Sequence, residues 1–88
     1  MCAFLPPRSL PVLIRQQNGR ILAGIVVEVD RKKGQVRLSH VTLLSVMGLK
    51  SKLDPIYEKS GKINGILEIP IESIALWEKL PGYIKLEE

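Results

Sequence analysis

The sequence predicts a mostly β protein: a small five-stranded, strongly bent barrel with an insertion between its third and fourth strands. Three observations lead there. Apolar residues alternate with polar ones rather than recurring every third or fourth position. Most apolar runs stop at Gly, Pro or Asn, the residues that make turns. The length of 88 residues, with 45% apolar and 25% charged side chains, suits one globular domain with a thin core.

Each element has its own warrant. Leu10, Val12 and Ile14 share one face of a first strand, which Asn18-Gly19 ends in a tight hairpin turn. The second strand, residues 20–30, places Ile21, Ala23, Ile25, Val27 and Val29 on one side and is long enough that it must bend. Gly24, on the opposite face, permits that curvature or a close crossing by another backbone. After the turn Asp30-Arg31-Lys32-Lys33-Gly34, a third strand alternates Val36, Leu38 and His40 with polar neighbours. From Val41 the alternation is lost, and Leu43, Val46, Met47, Lys50 and Leu53 stand at spacings that predict a short helix. Residues 54–65, with Pro55, Gly61, Asn64 and Gly65, read as an exposed loop or loose hairpin. Residues 66–69 and 71–77 read as two short strands with Pro70 at the junction, and Trp77 as core. The organisation expected is an N-terminal arm over 1–9, a barrel over 10–80 with its insertion at about 42–65, and a tail over 81–88. Phe4-Leu5-Pro6-Pro7 would either dock on a neighbour or lie disordered.

Composition removes several classes of function. One cysteine, Cys2, forbids an internal disulfide, and with the single His40 it cannot complete a zinc site, so no metal or cofactor is expected. No apolar run approaches the roughly 20 residues that span a bilayer, and Pro6, Pro7 and Arg8 interrupt the start where a secretion signal would be greasy. A cytoplasmic, intracellular setting without membrane contact is the expectation. Ser39 and His40 are neighbours on a strand and should face opposite ways, which would deny them a nucleophile and base pairing. Glu28 and Asp30 share a strand face and read as solvated, and Gly61-Lys62 lacks the rest of a phosphate loop. The chain is therefore expected not to be an enzyme.

Charge is unevenly placed. Residues 1–53 carry nine Lys and Arg against Glu28 and Asp30, whereas residues 54–88 carry four against seven acids. The basic front points to a polyanion, with Arg31, Lys32 and Lys33 in one turn, Arg37 on the next strand and Arg20 as candidate RNA contacts. No aromatic residue lies near them in sequence, so such contact should be weak, salt-sensitive and indifferent to base. Leu43, Leu44, Val46, Met47 and Leu49, crowded into seven residues, are either barrel cap or the surface for a protein or peptide partner, a dimer or other homo-oligomer included.

The stretch from Leu10 to Val41, with Gly19 in the turn, Gly24 in the second strand and Asp30 after it, resembles the first motif of the Sm and Sm-like (LSm) family. Ile-Pro-Ile-Glu-Ser-Ile-Ala-Leu-Trp at 69–77 looks like that family's closing strand pair, so the resemblance covers about residues 10–80. It implies an SH3-like or Sm-like barrel in which Gly19, Gly24 and Asp30 serve architecture. Ring-forming members carry a base-binding Asn shortly after the Asp and an Ile-Arg-Gly-like signature later. Here the Asn place falls near Lys33 or Gly34, and no Arg occurs between Ile66 and Trp77. The chain is thus more similar to the divergent branch in mRNA-decapping scaffolds of the enhancer-of-decapping kind. That likeness implies a module in RNA metabolism that binds leucine-bearing helices. The alternative is a PRC-type or SH3-like small barrel serving as an assembly subunit without RNA.

Overall fold

A computed structural model describes residues 6–51 and 54–86. The chain runs β1 (Pro11–Gln16), β2 (Ile21–Asp30), β3 (Gln35–Ser51), β4 (Asp54–Ile63), β5 (Leu67–Pro70), a 3-10 turn (Ile71–Ser73) and β6 (Ile74–Lys79). All pairings are antiparallel, in the order β4-β3-β2-β1-β6, with β5 beside the first part of β3. The expected mostly β class stands, with six strands in place of five. The hydrogen-bonded sheet does not close on itself, since β4 and β6 end it. It is nevertheless strongly bent. Three residues of 3-10 helix, rising only about 6 Å, carry the chain from β5 beside β3 to β6 beside β1.

The turns follow local chemistry. Gly19, at φ 90°, supplies the left-handed conformation of the first hairpin, and Asn18 Oδ1 accepts the Arg20 N–H at 2.9 Å. Asp30 Oδ1 accepts the N–H groups of Lys32 and Lys33 at 3.1 and 3.0 Å, folding the second turn on its own carboxylate.

The predicted helix is absent: residues 41–51 continue β3 and pair with β4, so most of the stretch 54–65, expected as an exposed loop or loose hairpin, is the second arm of a β3–β4 hairpin. The loss of alternation begins at His40 and continues at two further bulges of β3, between Val46 and Gly48 and between Leu49 and Ser51. His40 adopts φ 54° and forms a bulge, so that Ala23 pairs with Thr42 while Ile25 pairs with Ser39. One residue is absorbed, and the inward set changes from Val36 and Leu38 to Val41 and Leu43. A strand with a phase change looks irregular in sequence.

Two apolar clusters sit on the two faces of the sheet. The larger gathers Val12, Ile14, Leu22, Val26, Val36, Leu38, Val41 and Ile69, with Trp77 half-buried against it. The inward side of β2 is thus Leu22, Gly24 and Val26, while Ala23 faces the other cluster and Val27 is 38% exposed. A second bulge, between Val26 and Glu28, brings Val29 back to the larger core. On the outer face Leu13, Ala23, Leu44, Tyr57 and Ile84 form the smaller cluster. Pro6 is buried, the Ser9 N–H donates to Val26 O at 2.7 Å, and the described part of the N-terminal arm therefore packs on its own chain. Phe4 and Leu5 lie outside the described residues.

Candidate functional site

Two surfaces emerge. The first is the basic turn, where Arg31, Lys32 and Lys33 are exposed together. Lys33 and Gly34 border a shallow hollow whose other wall is Ile71 and Glu72, tied across by the Ile71 N–H donating to Gly34 O at 2.8 Å. Glu72 is exposed and brings a carboxylate to the same hollow as Lys33, which weakens the pull of that side of the turn on a phosphate. Arg37 does not join this group. Its Nη1 lies 3.3 Å from Glu28 Oε1 and its Nε 3.3 Å from Glu68 Oε2, the latter an ion pair out of hydrogen-bond alignment. A guanidinium shared between two half-exposed carboxylates offers a phosphate less net positive charge than the exposed turn does. Arg20 sits in the hairpin before β2, separated from Arg31 by the whole ten-residue strand.

The second surface is the far end of the β3–β4 hairpin. Pairing of β3 with β2 ends at Leu44, opposite Ile21. Beyond it, β3 and β4 continue together as a two-stranded arm to Ser51 and Asp54. The five residues proposed from sequence separate here by position. Leu44 is 6% exposed in the outer cluster and Leu43 packs against the larger core, while Val46, Met47 and Leu49, past the end of β2, are 49%, 61% and 63% exposed. The five residues thus divide between packed and exposed positions in successive stretches of one strand.

A third arrangement went unforeseen in the sequence. Ser39 Oγ lies 3.1 Å from His40 Nδ1, although strand neighbours ordinarily diverge. The left-handed backbone of His40 turns its ring back toward the preceding side chain. His40 is exposed and lines an open hollow with Thr42, Lys62, Ile63 and Asn64. Among the described hydrogen bonds, Ser39 is the one side-chain partner of His40. A positive φ at a bulge was the missing signal, and sequence carries it weakly because residues other than glycine adopt it in only a few per cent of cases, His included among the more frequent. Among the described residues no three His, Cys, Asp or Glu side chains converge as metal ligands, and no helix is long and apolar enough to cross a membrane.

Searches of protein-family models, of curated proteins and of solved structures each find no match to this chain.

Proposed function

We propose that the protein is a non-catalytic, Sm-like small-barrel binding module of RNA metabolism that captures a leucine-bearing helical peptide on the β3–β4 arm. The carrying observation is the exposure of Val46, Met47 and Leu49 where β3 has outrun β2. Burying those exposed fractions would contribute about 3–5 kcal/mol before the cost of association. Micromolar affinity needs about 8 kcal/mol. The arm alone therefore supports a weak contact, to which a partner must add further area or backbone bonds.

The basic turn gives the module a secondary, sequence-indifferent hold on RNA. Three cations on a single strand predict an affinity loss of roughly 20-fold between 50 and 200 mM salt. Fluorescence anisotropy tests both contacts. Met47→Asp should weaken binding of a labelled amphipathic, leucine-bearing helical peptide at least about tenfold while the circular dichroism spectrum is retained. Unchanged affinity refutes the peptide site. Changing Arg31, Lys32 and Lys33 together to Glu should abolish oligouridine binding and its salt dependence.

A second reading, an assembly subunit without RNA contact, is supported by the pairing of Arg37 with Glu28 and Glu68 and by Glu72 beside the turn. It predicts indifference to the triple Glu change, with light scattering reporting a multiple of the 9.8 kDa chain mass.

A further inference from the structure

The segment after β6 folds back on the sheet. The Leu80 N–H donates to Pro11 O at 3.2 Å, and a turn closed by the Ile84 N–H on Pro81 O at 3.1 Å follows. Ile84, 7% exposed, then sits with Leu13, Ala23, Leu44 and Tyr57, one residue from each of β1 to β4. Its neighbour Tyr83 is 57% exposed, yet its hydroxyl accepts the backbone N–H of Tyr57 at 3.2 Å.

The direction of that N–H is informative. Tyr57 is paired with Val46 of β3, and a residue in an antiparallel ladder sends both of its backbone groups to the same side. An N–H donated to Tyr83 points away from β3, out of the outer edge of β4. That strand ends the sheet. An added strand would lie about 4.8 Å beyond it, in the space the Tyr83 phenol enters.

We infer that residues 80–86 form a latch that closes the outer edge of β4 against strand addition by a second copy of this chain. Ile84 is its foot in the outer cluster, and the Tyr83 hydroxyl is its catch on the edge. The occupant it excludes is available in every molecule. β6 ends the sheet on the other side and has β1 as its one strand neighbour among the described residues. An edge strand of one copy meeting the β4 edge of the next is a head-to-tail contact, which propagates into rings or filaments unless blocked. The inference stands apart from the peptide and RNA contacts, which involve neither Tyr83 nor Ile84.

The test separates the catch from the foot. Tyr83→Phe keeps the ring and Ile84 while removing the hydroxyl, and a chain truncated after Leu80 removes both. Light scattering across a wide concentration range and amide hydrogen exchange read the result. The full chain should remain monomeric with the Tyr57 amide protected. At low concentration Tyr83→Phe should speed exchange at that amide at least about tenfold, and at high concentration its mass should rise. The truncated chain should associate more strongly while retaining its β-sheet circular dichroism. A folded truncated chain that stays monomeric overturns the inference. If truncation unfolds the chain, Tyr83→Phe decides, and an unchanged Tyr57 exchange rate or an unchanged mass overturns it. So does a full chain that assembles as strongly as Tyr83→Phe.

Discussion

Gly24 offers the sharpest test of how the sheet bends. It is buried on the inward side of β2, opposite the bulge at His40. A Cβ added there would lie 3.2 Å from Ser39 O, 3.4 Å from Val41 Cγ2 and 3.5 Å from Leu38 Cβ. The nearest of these atoms is a backbone carbonyl, fixed by the pairing of Ser39 with Ile25 and by the adjoining bulge. It cannot swing aside as a side-chain tip would. Gly24→Ala should therefore destabilise the fold by about 1–3 kcal/mol, the range for overpacking a well-filled interior. For a domain of this size each 1 kcal/mol lowers the melting temperature by about 4–8 °C. Gly48→Ala is the control, because a Cβ there meets nothing within 4 Å. Urea unfolding followed by circular dichroism gives both values. A Gly24→Ala variant within about 0.5 kcal/mol of the parent, the spread of ordinary surface changes, would refute the close crossing of β2 and β3 as the reason for glycine.

Three further outcomes follow from the geometry. Asp30→Ala removes the acceptor for two turn N–H groups and should lower stability by about 1 kcal/mol in thermal melts, while Asp30→Asn retains most of it. Leu44→Asp places a charge in the outer cluster and should unfold the chain, whereas Met47→Asp should leave urea stability within about 0.5 kcal/mol. Similar behaviour of the two variants would contradict their separation into core and surface. Arg37→Ala breaks two half-exposed ion pairs, so its effect should stay below about 1 kcal/mol, shrink with added salt and leave oligouridine affinity unchanged.

The parts of the fold legible in sequence were those set by neighbouring residues. Asn18-Gly19 and Asp30 announced their turns because the side chains or backbone angles that make them are local. Alternation placed β1 and the opening of β3 for the same reason. The helix predicted after Val41 failed because β3 changes phase at His40 and again between Val46 and Gly48 and between Leu49 and Ser51, and a phase-shifted strand mimics helical spacing. The basic turn was visible as a cluster. The capture of Arg37 by Glu28 and Glu68 was not, since Glu68 arrives through the pairing of β5 with β3. Likewise nothing in residues 80–86 alone foretells that Tyr83 reaches an N–H of β4.

The β1–β6 pairing bears on how the chain reaches this state. β1 meets β2 across a tight turn, and β3 meets β4 almost immediately, so both hairpins can form by closing short loops. Val12 and Lys79, by contrast, are paired although they lie more than 60 residues apart in the chain. Their loop must be closed before any bond between those strands can repay its entropy, which makes β1–β6 the natural last step. Long-range antiparallel closure of this kind belongs with folding times of milliseconds to seconds. Until it occurs, β1 has a bare side, and the half-formed sheet is the species most exposed to misassembly.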